Sequence, residues 1–110
     1  MSHVSTAELI AQLDEEEQSY LEVLSKDSMS VELARYPNSA PKTPHKEDEL
    51  YFIISGSGMF RVGDEMHAVD EGDVIYVEQG VDHEFFDVEA EITALIVFTT
   101  SQESVLGQSP

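Results

Sequence analysis

Few residues in this chain could carry chemistry. It has no cysteine and four histidines, His3, His45, His67 and His83. Thiolate nucleophiles, disulfides and cysteine-type zinc sites are therefore excluded. His3 sits near the start of the chain and reads as a solvated residue. His67, in Glu65-Met66-His67-Ala68-Val69, shares strand parity with Glu65 and Val69 and reads as a half-exposed strand residue. His45 and His83 differ from these. His45 opens the run His45-Lys46-Glu47-Asp48-Glu49. In an extended segment His45, Glu47 and Glu49 point the same way, which sets one imidazole and two carboxylates on a single face. Such a face is half of a metal site suited to zinc, iron, nickel or manganese. The competing reading is a solvated, charged loop. His83 follows Gly80-Val81-Asp82 and begins an apolar run.

Groups so far apart in the chain need a rigid frame, and the hydrophobic pattern supplies mostly strands. Ser5 to Leu13 reads as a short helix. Ser5 and Glu8 have capping-box spacing, and Ala7, Leu9, Ile10 and Leu13 form one apolar face. The acid run Asp14-Glu15-Glu16-Glu17 reads as a solvated face or loop. Ser19 to Ser25 fits a helix or a strand. Strand is preferred because the next run, Ser30 to Tyr36, alternates cleanly, with Lys26-Asp27-Ser28 as the hairpin turn. Pro37 to Pro44 holds three prolines in eight residues and is expected to be a loop without ladder bonds.

Beyond that loop, short strands are expected at Leu50–Ser55, Met59–Val62, Glu65–Val69, Val74–Val77, Glu84–Phe86 and Ile92–Thr99. Turns separate them at Gly56-Ser57-Gly58, Gly63-Asp64, Asp70-Glu71-Gly72, Glu78-Gln79-Gly80 and near Glu89-Ala90. Many short strands with Gly-rich turns indicate an all-β sandwich or barrel. The expected layout is one domain over residues 1–110, with a helix at about 5–13, a barrel at about 18–100 and a frayed tail at 101–110. Tyr51, Ile53, Val62, Tyr76, Phe85, Ile96 and Phe98 are candidates for the barrel wall.

The spacing of these residues resembles the cupin superfamily, specifically its small single-domain "cupin 2" type. The first cupin motif reads G-x5-H-x-H-x3,4-E-x6-G, and His45, Glu49 and Gly56 fall on its second His, its Glu and its final Gly with the required counts. The second motif reads G-x5-P-x-G-x2-H-x3-N, and Gly72, Gly80 and His83 fall on its two glycines and its His. Fifteen residues, Ser57 to Glu71, separate the motifs, and the resemblance covers Tyr36 to Thr99. Four motif positions depart from the pattern. Pro37 stands for the first Gly, Thr43 for the first His, Glu78 for the Pro and Asp87 for the terminal Asn.

The resemblance implies a cupin-type double-stranded β-helix, a jelly-roll barrel with a short N-terminal helix outside, and a homodimer. It also implies a divalent ion (iron, zinc, manganese or nickel) held by His45, Glu49 and His83, with one ligand of the usual set lost at Thr43. Glu47 is the candidate for the vacant place, because a carboxylate can replace imidazole on a hard or borderline metal. A slipped register would put Tyr51 where the Glu belongs and is rejected. The alternative is a metal-free cupin whose polar residues only line the barrel mouth.

Charge narrows the partners. Five basic residues face 23 acidic ones, for a net charge of −18. Nucleic acid and anionic membranes are excluded as partners, since both are bound through Lys and Arg. The acidic coat reads either as a solubilising surface or as adaptation to a high-salt cytoplasm. No signal-peptide pattern opens the sequence and no cysteine is present, so a cytoplasmic location is expected. Two functions follow. One is a metal-dependent oxidoreductase of the dioxygenase kind acting on a small molecule, with Tyr51 or Glu47 as the proton-transfer group. The other is a barrel that binds or senses a small-molecule ligand without turnover.

Overall fold

A computed structural model of the chain describes residues 3–17, 19–36, 40–42 and 47–99. His45, Thr43 and the expected tail at 101–110 lie outside the described residues. Helix α1 spans Thr6–Glu16 and is capped by Ser5. The Ser5 hydroxyl accepts from the Glu8 amide at 3.1 Å, and the Glu8 carboxylate accepts from the Ser5 amide at 3.1 Å, which closes the expected capping box. The helix runs past Leu13 to absorb Asp14, Glu15 and Glu16 of the acid run, and Glu17 ends it in the left-handed conformation. Leu9 and Leu13 are buried with Leu33 on the outer face of the sheet. Arg35 fastens the helix there by donating to the Ile10 carbonyl and pairing with Asp14.

The strands are β1 (Tyr20–Ser25), β2 (Met29–Tyr36), β3 (Ala40–Lys42), β4 (Asp48–Val62), β5 (Glu65–Asp70), β6 (Val74–Val77) and β7 (His83–Thr99). Three expectations are corrected here. Leu50–Ser55 and Met59–Val62 are one bent strand, not two strands with a turn between them. Glu84–Phe86 and Ile92–Thr99 are likewise one strand. The proline-rich segment contributes β3, which pairs with β7 through Ala40↔Phe85 and Lys42↔His83. Pro41 is tolerated there because a proline at a sheet edge need not donate to a ladder.

All ladders are antiparallel, and β4 and β7 form the long central one, from Asp48↔Thr99 to Val62↔His83. Its register shifts between Ile53 and Met59, where both strands bend. The bend is built from Gly56 at φ 97° on β4 and Asp87 at φ 47° on β7. One half of the ladder is flanked by β2 and β6, the other by β3 and β5. Folded on itself, the sheet becomes a jelly-roll barrel around one core. Tyr36, Tyr51, Ile53, Phe60, Val69, Ile75, Val77, Phe85, Ile92 and Ile96 fill it from both halves, with Val62 and Phe98 packed against them. All the expected wall residues lie on strands of the barrel, and Tyr76 faces outward.

Candidate metal centre in the barrel

The two ends of the β4–β7 ladder carry the candidate chemistry. Near one end, β4 alternates strictly, so Glu49, Tyr51 and Ile53 point inward while Leu50 and Phe52 point out. His83 begins β7 at the other end and is buried, opposite Val62. The fold over Gly56 and Asp87 brings these ends together across the barrel. His83 Nε2 lies 3.5 Å from Glu49 Oε2, and both side chains are all but fully excluded from solvent. The Tyr51 hydroxyl donates to Glu49 Oε1 at 2.9 Å.

The orientation of His83 follows from its other nitrogen. Nδ1 lies 2.9 Å from the Val81 carbonyl oxygen. A carbonyl only accepts, so Nδ1 carries a hydrogen, and Nε2 is the ring atom that faces Glu49: a lone pair in the neutral ring, an N–H in the imidazolium. Rings hold this geometry in place. Tyr51 and Phe60 lie 6.1 and 6.0 Å from the His83 ring, and Phe85 stacks on Phe60 and Tyr36 at 4.5 Å each. Burial, reinforced by Tyr36 and Glu49 beside it, pushes the Tyr51 phenol far above its usual pKa. Tyr51 is therefore a standing hydrogen-bond donor to Glu49.

The pair fits an ion. Two ligand atoms each ~2.1 Å from one tetrahedral ion lie ~3.4 Å apart. The Glu49–His83 separation matches that bite. Of the expected residues, the structure thus brings Glu49, His83 and Tyr51 together. Glu47 is half-buried just ahead of β4 and does not complete a three-residue metal group with Glu49 and His83; no such group exists among the described residues. His45 lies outside them.

Two interior residues escaped the sequence reading. Glu32 and Tyr36 share the inward face of β2, Glu32 standing opposite the buried Ile96. Burial, then the charges of Glu32 and Glu49, raises the Tyr36 phenol well above its usual value. Both residues also line a cleft of about 300 Å³ with Ser19, Tyr20, Ala34 and Arg35. The alternation of Ser30 to Tyr36 carried the signal, because it puts Glu32, Ala34 and Tyr36 on one side of the strand.

Comparison with known proteins agrees with this architecture. The chain is 38% identical over 96 residues to the uncharacterized protein SCO3923 of Streptomyces coelicolor, covering 84% of this chain and 90% of that one. It is 31% identical over 67 residues to the HTH-type transcriptional activator RhaR of Mannheimia succiniciproducens, covering 60% of this chain but only 24% of the activator. A cupin-2 domain containing protein from Shewanella frigidimarina superposes with a TM-score of 0.71 over 87% of this chain and 93% of its own, at 14% identity. The family model for the cupin domain, Cupin_2, matches residues 31–99, from the second strand to the end of the last. That match spans the whole ladder carrying Glu49 and His83, and the chain belongs to the Cupin_2 family of cupin domains.

Proposed function

We propose that this cupin holds a divalent metal ion and acts on a small molecule, as a metal-dependent oxidoreductase of the dioxygenase kind. One observation carries the reading: His83 Nε2 and the Glu49 carboxylate face each other at 3.5 Å inside the barrel. An imidazole nitrogen and a carboxylate oxygen in a site of low dielectric need a cation between them, a proton or a metal ion, and their separation matches the bite of a metal ion. Glu49 and His83 would hold the ion, with His45 as the third ligand that the motif spacing supplies. Two His and one carboxylate form the ligand set of oxygen-activating non-haem iron sites. When bound, such an ion supplies Lewis acidity and, if it is iron, redox chemistry at an open position.

The chain's own residues do the remainder. The Val81 carbonyl fixes the tautomer and tilt of His83, and the Tyr51 hydroxyl fixes the carboxylate of Glu49. Phe60, 6.0 Å from the His83 ring, and Phe85, packed on Phe60, belong to the buried surroundings of the pair. Of the two candidates for proton transfer, Tyr51 or Glu47, burial keeps the Tyr51 phenol protonated and leaves the role to Glu47. The net charge of −18 keeps nucleic acid and anionic membranes away, and a cytoplasmic place belongs to the same proposal.

A second reading is capture of a small molecule without turnover. The likeness to part of a transcriptional activator points to it. Metal analysis of the purified chain, then oxygen uptake over a panel of small acids, thiols and diketones, separates the two. Stoichiometric iron with substrate-dependent uptake supports the enzyme. Tight binding of a panel member without uptake supports the module. A chain that takes up no divalent metal contradicts the metal-holding site itself.

A further inference from the structure

The cleft of about 300 Å³ beside Glu32 and Tyr36 is explained by the strand register. Residues paired across an antiparallel ladder point to the same side. Strand β1 pairs with β2 through Tyr20↔Ala34 and Glu22↔Glu32. Tyr20 and Glu22 therefore share the inward face that Glu32, Ala34 and Tyr36 occupy on β2. Ala34 stands opposite Tyr20 and one inward step from Tyr36, and its methyl group is too small to fill the space between the two phenols. Tyr20 is 54% exposed and Glu22 is exposed, whereas Tyr36 is buried, so the cleft runs inward from solvent. Its inner wall adjoins the candidate centre. Tyr36 packs on Phe85 at 4.5 Å, and Phe85 lies 5.8 Å from the Tyr51 ring. The charges of Glu32 and Glu49 both reach the Tyr36 phenol.

The charges in this hollow are one-sided. Among the residues that line it, Arg35 is the one cation, and its guanidinium is engaged on α1, where it donates to the Ile10 carbonyl and pairs with Asp14. Glu22 and Glu32 stand directly opposite each other, an arrangement in which like charges repel.

We propose that the cleft is the entrance subsite for a small organic ammonium ion. Aromatic faces attract a cation and cover its alkyl groups, and a carboxylate beside them pairs with its charge. A cation between Glu22 and Glu32 also relieves their repulsion. The volume lies at the lower end of small-molecule sites, which run from ~300 to ~1,000 Å³. An anion entering here would pass Glu22 and Glu32 before it met Glu49. As a statement of which small molecule enters, the inference rests on the proposed reading of the barrel as a small-molecule site, and it does not require the metal to be bound.

The test is calorimetric titration of the full chain with choline, once with chelator and once after metal loading. Salt at ~0.15 M, with a Debye length of ~8 Å, damps diffuse attraction to the acidic coat. The control ligand is the uncharged isostere of choline, with a tert-butyl group in place of trimethylammonium. Choline is expected to bind at least ~10-fold more tightly than the isostere. Glu32→Gln keeps the shape of the side chain and should weaken choline by ~10-fold or more. Tyr20→Leu, at an exposed position, should weaken it by ~2- to 5-fold. Glu71→Gln, exposed in the turn after β5, should change nothing. Circular dichroism confirms that each variant is folded. The absence of saturable choline binding overturns the proposal, and so does equal affinity for the isostere. Equal weakening by Glu32→Gln and Glu71→Gln also overturns it, because the attraction would then belong to the acidic coat as a whole. Metal content measured on the same samples keeps the two readings apart. Metal uptake without choline binding overturns this inference alone, and choline binding by a chain that takes up no metal overturns only the metal-holding site.

Discussion

Glu49, Tyr51 and His83 meet because each is one step of strand parity from a fixed point. Glu49 and His83 were legible from motif spacing. The Tyr51–Glu49 contact follows from their two-residue separation on one strand. Alternation puts Glu32 and Tyr36 on one side of β2, but which side is the interior was not legible, and the reason is physical. Strand β2 packs on both sides, against α1 through Leu33 and into the barrel through Ala34 and Tyr36, so neither face stands out as the polar one. The direction of Tyr76 was open for a related reason, since Val74 and Tyr76 are as apolar as the inward Ile75 and Val77. The buried phenols give a prediction with a definite sign. Folding holds the Tyr36 and Tyr51 protons above their ordinary values, while the unfolded chain releases them near pH ~10. Below that pH their contribution to stability is complete, and above it stability falls, by up to about 2.7 kcal/mol per pH unit for two protons. Urea midpoints measured through the alkaline range should show this fall, and Tyr36→Phe should remove about half of the slope. A midpoint flat in pH would mean that the two phenols ionise in place.

Element boundaries depend on backbone geometry that composition alone leaves open. The helix, its capping box, the β1–β2 hairpin, β5 and β6 were all readable from caps and alternation. The continuity of β4 and β7 was not, because a glycine at positive φ serves a turn and a bend within a strand equally well. Gly56 belongs to the bend. A Cβ there would overlap the Glu91 carbonyl oxygen and lie 2.6 Å from Ile92 Cα, both backbone atoms of the paired strand. Gly72 has a similar φ of 92°, yet no atom lies within 4 Å of a Cβ built on it. Alanine at Gly72 should therefore cost only conformational strain, about 1–2 kcal/mol. Alanine at Gly56 adds a backbone clash and should cost about 3–5 kcal/mol, near the limit for a single substitution. Thermal melting of both variants checks the order. Equal losses would show that the ladder is not tightly folded at Gly56. The site depends on the same bend, so Gly56→Ala should also lower metal content while Gly72→Ala should not.

At the scale of the whole molecule, charge and the closed barrel act against each other. The described strands fold the two ends of one ladder together inside a surface carrying a net charge of −18. At 0.01 M salt the Debye length of ~30 Å lets carboxylates all over so small a protein repel one another, and at 1 M it shrinks to ~3 Å. The melting temperature at pH 7 should therefore rise with salt in both sodium chloride and sodium perchlorate. A rise in chloride alone would assign the effect to salting-out instead. The all-β class and barrel were legible because closure is the common solution for many short strands. The pairing of two distant ladder ends was legible only through the motif spacing. That pairing is the central claim, and diffraction at metal absorption edges from crystals of the metal-supplemented chain tests it most directly. The account predicts one anomalous peak inside the barrel, ~2.0–2.3 Å from both His83 Nε2 and Glu49 Oε2. A bound ion coordinated anywhere else, or His83 and Glu49 in direct contact with no ion between them, would contradict it.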